Sequence, residues 1–188
     1  QIQSLGTAKS LTVLGFTESL QLRTVDNMLR SKPPIMYNES ITGKATVSKI
    51  LSTAHALWIA VGTNIIKIQS RTLTVQKVLK QMHKSPISDL CINGNTLWSC
   101  GGSDVCVWNI KSGKFLDNFT CTEQTNCLLS VGDSIWIGAS PSIFIYNAET
   151  KISTKTLSKH DSKILGMTLV SGGKVWSFSE EGKICIWN

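Results

Sequence analysis

Several features that often define a class of protein are missing from this sequence. It has no apolar run approaching the ~18 residues of a membrane-spanning helix, and its first ten residues lack the charged-then-apolar pattern of a secretory signal. Its six cysteines include no Cys-x-x-Cys pair. Four of them (Cys91, Cys100, Cys106 and Cys185) fall inside predicted strands, which favours buried free thiols in a reducing compartment over disulfides. We therefore expect a cytoplasmic protein without a transmembrane segment, peripheral to a membrane at most.

Arginine is scarce although the chain is basic. The formal net charge is +7, yet only three of the 19 basic residues are arginines. Proteins that read phosphates or base edges favour arginine, because its planar guanidinium binds two oxygens at once. A surplus carried by lysine is typical of a solvated surface with some attraction for acidic partners. Nucleic acid is accordingly disfavoured as a partner.

Patterns that supply catalytic or cofactor chemistry are also missing. The three histidines lie in different segments, the cysteines are scattered, and no metal-ligand spacing connects them. Gly101-Gly102-Ser103 is interpreted as a tight turn and not as a phosphate-binding loop, because no Gly-Lys-Ser/Thr follows it. The adjacent carboxylates of Glu180 and Glu181 fall in another predicted turn, where solvated acids are ordinary. We expect no metal, no cofactor and no enzymatic activity, and a hydrolase is the least favoured alternative.

The sequence does contain a repeat with a period near 40 residues. An aliphatic residue followed by tryptophan recurs with the tryptophans 40, 38 and 40 residues apart, at Leu57-Trp58, Leu97-Trp98, Ile135-Trp136 and Val175-Trp176. A second mark keeps nearly the same spacing, at Ile68-Gln69-Ser70, Val107-Trp108-Asn109, Ile145-Tyr146-Asn147 and Ile186-Trp187-Asn188. Short β-rich stretches at this period are typical of β-propeller blades.

The repeat around Trp98 shows the plan of one blade. Predicted strands cover 87–92, 96–100 and 115–119, and another strand between them is marked by Val105 and Val107. Turns rich in glycine, asparagine and serine separate the strands. Four strands joined by tight turns within one repeat predict a four-stranded antiparallel blade, and hence an all-β propeller.

The repeats divide the chain unevenly. We predict blades at approximately 46–82, 83–121, 122–158 and 159–188, preceded by an irregular segment or degenerate blade at 1–45. Within that first segment, Leu11–Leu14 and Leu20–Arg23 are predicted strands, and Val25–Arg30 is a predicted helical turn. The chain thus supplies about four to five blades, so we favour part of a larger ring, of about seven blades, over a five-bladed ring.

These marks resemble the WD-repeat family of β-propellers over roughly Val47 to Asn188. In that family a histidine before the first strand, a serine or threonine in the second, an aspartate in the next turn and a Trp-Asp pair form a buried hydrogen-bond network. Here asparagine stands at the aspartate of that pair, and glutamate replaces the turn aspartate in the last repeat. The residues that the resemblance assigns to the network are His83, Asp104 and Trp108 in one repeat, and His160, Ser177, Glu181 and Trp187 in another.

The resemblance implies a non-enzymatic interaction platform for protein or peptide partners, as a regulatory or scaffolding module of a larger signalling or trafficking protein. The network residues are then structural rather than catalytic. Lysines flank both histidines on one expected rim, at Lys80, Lys84, Lys159 and Lys163. This candidate binding rim leaves an alternative open, a reader of acidic lipids or phosphoproteins.

Overall fold

A computed structural model describes residues 46–80 and 82–188 in full and, before them, the backbone of three strands at 11–16, 19–24 and 35–36. The two predicted N-terminal strands fall within the first two of these strands. The helical turn expected at Val25–Arg30 lies outside the described residues.

All regular structure in the described residues is β-strand, as the repeat predicted. Every sheet is an antiparallel meander in which consecutive strands pair. The strands are β1 (Leu11–Phe16), β2 (Ser19–Thr24), β3 (Ile35–Met36), β4 (Val47–Ser52), β5 (Ala56–Val61), β6 (Asn64–Gln69), β7 (Val75–Leu79), β8 (Asp89–Asn93), β9 (Thr96–Gly101), β10 (Asp104–Asn109), β11 (Phe115–Thr120), β12 (Cys127–Val131), β13 (Ser134–Gly138), β14 (Ile143–Asn147), β15 (Ser153–Leu157), β16 (Ile164–Leu169), β17 (Val175–Ser179) and β18 (Ile184–Trp187).

The strands form five sheets that follow one another along the chain. Three sheets have four strands each: sheet 1 (β4–β7), sheet 2 (β8–β11) and sheet 3 (β12–β15). Sheet 4 has three strands, β16–β18, and β1–β3 form a three-stranded N-terminal sheet. Tight turns join the strands, and those after β8 and β12 place Gly94 and Gly132 at φ +53° and +55°, a conformation that other residues rarely adopt.

The aliphatic-tryptophan pairs occupy equivalent places in sheets 1 to 4. Each pair lies in the second strand of its sheet, and its aliphatic residue pairs across to the third strand. Since side chains alternate between the two faces of a strand, the aliphatic residue and the tryptophan point to opposite faces. The cross-strand partners are Leu57 and Ile68, Leu97 and Trp108, Ile135 and Tyr146, and Val175 and Trp187.

This register corrects one alignment made from the sequence. The sequence alignment matched Ile68-Gln69-Ser70 to Val107-Trp108-Asn109 and so treated Gln69 as the equivalent of Trp108. That alignment is wrong by one residue. Ile68 is the equivalent of Trp108, and the Gln69 amide donates to Thr74 as the Asn109 amide donates to Lys114. The error arises because Ile68 replaces the aromatic residue at the end of the strand, and Leu73 replaces the turn glycine, although the turn itself has the same hydrogen bonds as the turn after β10.

Successive sheets pack face to face along sheets 1 to 4. Trp58 of sheet 1 is fully buried with Leu90 and Leu97 of sheet 2. In turn Trp98 of sheet 2 is fully buried with Leu128 and other aliphatic residues of sheet 3. The first strands of neighbouring sheets adjoin, β4 with β8, β8 with β12 and β12 with β16. We call the face of a sheet that bears the tryptophan of the aliphatic-tryptophan pair its trailing face, and the opposite face its leading face. Each interface joins the trailing face of one sheet to the leading face of the next.

A buried carboxylate links three sheets near their first strands. Asp89, at the start of β8, forms an ion pair of 2.9 Å with Lys49 of β4. Its other oxygen accepts the Leu128 amide of β12 at 2.9 Å. An interior carboxylate needs such charged and hydrogen-bonding partners to offset the loss of water. Asp89 thus fixes the relative position of sheets 1, 2 and 3.

Candidate functional site

The most complete polar cluster lies inside sheet 4 and is centred on His160. His160 Nε2 lies 2.7 Å from Ser177 Oγ, and its Nδ1 lies 3.0 Å from Ser179 Oγ. The Trp187 indole N–H donates to Ser177 Oγ at 2.8 Å. The Ser179 hydroxyl donates to Glu181 Oε1 at 3.0 Å. The four residues expected from the sequence are therefore brought together, with Ser179 between His160 and Glu181.

One arrangement of protons satisfies this whole chain. Ser177 accepts from Trp187 and donates to His160 Nε2, which leaves the histidine proton on Nδ1 to donate to Ser179. Ser179 then donates to the carboxylate of Glu181. His160 is neutral in this arrangement, and burial lowers its pKa although Glu181 favours the protonated form. Desolvation opposes ionisation of Glu181, but hydrogen bonds from the Asp161 amide and the Ser179 hydroxyl outweigh it and lower its pKa.

The second cluster, in sheet 2, is less complete. His83 Nε2 lies 2.7 Å from Ser99 Oγ, which also accepts the Trp108 indole N–H at 3.0 Å. Ser99 Oγ also lies 3.4 Å from the Cys106 carbonyl oxygen, which leaves the second ring nitrogen of His83, Nδ1, outside this network. That Nδ1 is buried and has no hydrogen-bond partner. Burial lowers the pKa of His83 to about 4, although the nearby charge of Asp104 opposes the shift.

The sequence placed Asp104 in this cluster, but no hydrogen bond joins Asp104 to His83. Its carboxylate accepts instead from Thr120 at 3.4 Å, on the neighbouring strand β11. The residue equivalent to Ser179 is Gly101, which has no hydroxyl to reach His83. A side chain at Gly101 is also blocked, since a Cβ there would lie 2.5 Å from the Pro86 carbonyl oxygen. The close passage of the Pro86 backbone therefore explains why this network is shorter.

Ser99 and Ser179 were not among the residues singled out from the sequence. Ser99 follows Trp98 just as Ser177 follows Trp176, so the repeat alone was enough to find it. Ser179 was recognisable because it lies two residues beyond Ser177 on the same strand, and hence on the same face.

Sheet 3 replaces the histidine cluster with another pair. Cys121 lies six residues before the start of β12, as His83 lies six before the start of β8. Its sulfur lies 3.9 Å from the hydroxyl of Tyr146, which occupies the position of Trp108. Tyr146 also stacks on Phe119 with a ring-centroid distance of 4.5 Å. Burial raises the pKa of Tyr146 to about 12, so this sheet is joined by neutral groups and aromatic packing.

Burial limits what the clusters can do chemically. Ser-His-Glu is a set of residue types used in nucleophilic catalysis. Ser177, however, is only 1% exposed, and its oxygen is engaged by both Trp187 and His160. A substrate has no access to that oxygen while the sheet is folded. The arrangement thus serves to hold the loop before β16 against β17 and β18.

The candidate rim is exposed at all four lysines, Lys80, Lys84, Lys159 and Lys163. Lys84 follows buried His83, and Lys159 and Lys163 flank buried His160. Acidic residues share this rim. The amide of Glu180 donates to the Lys163 carbonyl, the Glu181 carboxylate accepts the Asp161 amide, and Asp161 forms an ion pair with Lys183.

Sheet 3 also contributes an acidic residue to this rim, between the pair Lys80 and Lys84 and the pair Lys159 and Lys163. There Glu123 accepts from both the amide and the hydroxyl of Ser142, at 3.0 and 2.8 Å. The rim therefore carries both signs of charge, whereas the sequence suggested a lysine-rich arc.

Two searches of the described residues bear on other sites. No three His, Cys, Asp or Glu side chains in those residues converge as metal ligands. Nor do they contain a helix of the length and apolarity needed to span a bilayer.

The fold and the clusters define a class, a row of antiparallel β-sheets whose loops are anchored by buried polar residues. Two computationally designed proteins share this architecture. Ika8 superposes with a TM-score of 0.73 at 15% identity, covering 94% of this chain and 55% of Ika8. Ika4 superposes with a TM-score of 0.69 at 16% identity, covering 77% of this chain and 91% of Ika4. At these identities the likeness concerns the fold alone.

Among curated proteins, the chain is similar to the probable serine/threonine-protein kinase roco6 of Dictyostelium discoideum. The two are 23% identical over an alignment of 159 positions that covers 78% of this chain. The chain spans only 7% of the length of that kinase. No protein-family model matches the chain.

Proposed function

We propose that this chain is a non-catalytic docking module, built as part of a WD-repeat-like β-propeller, that binds a protein or peptide partner along its rim. The observation that carries the proposal is the anchoring of rim loops by buried histidines. His83 and His160 are each hydrogen-bonded inside a sheet, while the neighbouring lysines are exposed. A loop held in this way loses little conformational entropy when a partner binds.

The mixed charge of the rim favours a protein surface over a phosphate as its ligand. Asp161, Glu180 and Glu181 lie among the lysines of sheet 4 and would repel an anionic headgroup. A protein partner can match both signs of charge, with its acidic groups facing Lys84 and Lys159. Its affinity would come from a few buried contacts, while the lysines mainly speed association.

The burial of Ser177 and Ser99 supports a structural role for these residues instead of a catalytic one. Both hydroxyls are used inside the sheets to receive an indole N–H and contact a histidine. We further propose that the module belongs to a larger signalling protein. The partial similarity to a much longer kinase, of whose length the chain spans 7%, supports this placement.

The proposal is tested by reversing charge on one rim at a time. The double variant Lys84→Glu and Lys159→Glu alters the candidate rim. The matched control is Lys114→Glu with Lys174→Glu, two exposed lysines in turns at the opposite ends of the strands. Both variants change the net charge equally. Proteins retained by the immobilised wild-type chain and by the control, but lost from the rim variant, are the expected result.

Equal retention by the rim variant and the wild type would show that the rim is not the docking site. The lipid alternative gives a different result in the same variants. Binding to phosphatidylserine vesicles at low salt, lost in the rim variant and at higher ionic strength, would favour an acidic-lipid reader instead.

A further inference from the structure

Sheet 4 exposes a contiguous apolar face that its neighbours do not. Four large apolar side chains on β17 and β18 are each 40 to 61% exposed. Trp176 pairs across to Ile186, and Phe178 pairs across to Ile184, so these four share one face. The ring of Phe178 lies directly over Gly166, where a Cβ would come within 2.5 Å of it. An exposed apolar face of this kind marks an interaction site. The four residues are Trp176, Phe178, Ile184 and Ile186.

The equivalent face is covered in the preceding sheets. Trp58 and Trp98, which correspond to Trp176, are fully buried, whereas Trp176 is 40% exposed. In both cases the covering residues are aliphatic side chains from the first two strands of the next sheet, such as Leu90 above Trp58 and Leu128 above Trp98. The Trp176 face is therefore a trailing face, and none of the sheets in the described residues covers it.

The edge of sheet 4 points to the same kind of occupant. Among the described strands, β18 pairs with β17 alone, whereas the third strands of sheets 1 to 3 each pair with a fourth. In those sheets the first strand of the covering sheet begins within ten residues of the end of the fourth strand. One continuous segment thus both completes a sheet at its edge and covers its trailing face.

We propose that the Trp176 face, defined by the four residues above, docks the leading face of a further antiparallel β-sheet of the same repeat type, supplied by the same polypeptide. That sheet presents aliphatic side chains at the positions of Leu128, Ile135 and Ile137. A strand leading into it pairs with β18. The interface is then a continuation of the three sheet-to-sheet interfaces within the chain.

A second copy of this chain is a poorer occupant. The leading face of sheet 1, formed by Ile59, Val61, Ile66 and Ile68, is already buried to 1% exposure or less. It cannot receive the trailing face of another copy in the way that sheets 2, 3 and 4 receive their neighbours. Two Trp176 faces packed against each other would bring two trailing faces together, which occurs at none of the interfaces between sheets 1 and 4.

The experiment extends the chain with a sheet whose leading face is known. A copy of residues 110–158 is added after Asn188, the residue equivalent to Asn109, and so supplies a fourth strand followed by a sheet. Phe178→Cys, in a Cys185→Ser background, provides a thiol on the Trp176 face; Cys185 is replaced because it lies on β18 and is partly exposed, whereas the other native cysteines are buried. We expect the maleimide reactivity of this thiol to fall at least tenfold on extension. The matched control has the same extension with aspartate in the copied positions of Leu128 and Ile137, and keeps the thiol reactive.

A second measurement separates docking from simple folding of the extension. Trp176→Thr is expected to leave the unfolding midpoint of the original chain nearly unchanged and to lower that of the extended chain. Hydrogen exchange should show new protection in β17 and β18 together with protection of the copied sheet. An unchanged thiol reactivity, or a copied sheet that gains no protected amides, would overturn the proposal. So would a dimer of the original chain, seen by light scattering, that Trp176→Thr dissociates.

Discussion

Buried His83 makes the stability of this protein sensitive to mild acid. Burial lowers its pKa to about 4 in the folded chain, against about 6.5 for an exposed histidine in the unfolded chain. Between these values the unfolded chain binds a proton that the folded chain does not, so stability falls as the pH falls. The contribution is fully present above pH 6.5 and is lost progressively down to about pH 4.

The size of the effect follows from the difference between the two pKa values. Each pH unit below 6.5 costs about 1.4 kcal/mol until the folded pKa is reached. Going from pH 7 to pH 5 should therefore lower the free energy of unfolding by about 2 kcal/mol through His83 alone. The pKa of His160 is lowered in the same direction, so its contribution adds to this loss.

The assay is urea unfolding followed by tryptophan fluorescence at pH 7 and pH 5. His83→Gln keeps an amide donor for Ser99 but does not titrate, so this variant should lose about 2 kcal/mol less than the wild type over the interval. His55→Gln is the matched control, because it makes the same replacement at an exposed histidine. Direct NMR titration of the His83 ring should give a pKa near 4.

Two results would refute this reasoning. The first is an equal loss of stability in the wild type and His83→Gln between pH 7 and pH 5. The second is a His83 ring that titrates near 6.5 in the folded protein. Either would mean that water or a charged partner reaches Nδ1, contrary to its buried and unpaired position. Carboxylates such as Glu181 do not confuse the test, since a lowered acidic pKa costs stability only as the pH falls below about 4.5.

Three substitutions test the contacts within and between sheets, each by its change in unfolding free energy. Ser177→Ala leaves His160 without its Nε2 partner and should cost roughly 1–3 kcal/mol, with native-like circular dichroism retained; no loss would mean the cluster is not formed. Gly101→Ala should cost about 1–3 kcal/mol because its Cβ meets a backbone oxygen, and a neutral result would contradict that close approach. Asp89→Ala removes both the charge that binds Lys49 and the oxygen that accepts the Leu128 amide, so it should cost roughly 1–3 kcal/mol and expose β12 to faster hydrogen exchange; unchanged exchange would show that Asp89 does not tie sheets 2 and 3.

Much of the fold was predictable because its signals are local. The strands around Trp98 were expected at 96–100 and 115–119 and are observed at Thr96–Gly101 and Phe115–Thr120. Alternating apolar residues and turn glycines act within a few residues of one another, so they can be recognised without knowing the rest of the chain. The position of Ile68 was misjudged because the usual aromatic residue and turn glycine are replaced there by Ile68 and Leu73.

The candidate site was predictable only in part. The resemblance to WD-repeat propellers pointed to His160, Ser177 and Trp187, and the structure joins them by hydrogen bonds. It also suggested Asp104, which bonds to Thr120 instead of His83. Hydrogen bonding depends on distances of a few tenths of an ångström between segments far apart in sequence, and residue types at the right spacing do not determine those distances.

The amino-acid sequence by itself determined the period, the antiparallel strands and the residue types held inside each repeat, because strand alternation and turn chemistry depend on near neighbours. Only the tertiary structure decided how the repeats differ. The Pro86 backbone excludes a side chain at Gly101, Asp89 contacts Lys49 and Leu128 on two other sheets, and Trp176 remains exposed where Trp58 and Trp98 are buried. Each of these outcomes depends on which sheet lies against which, and that is a property of the packed molecule.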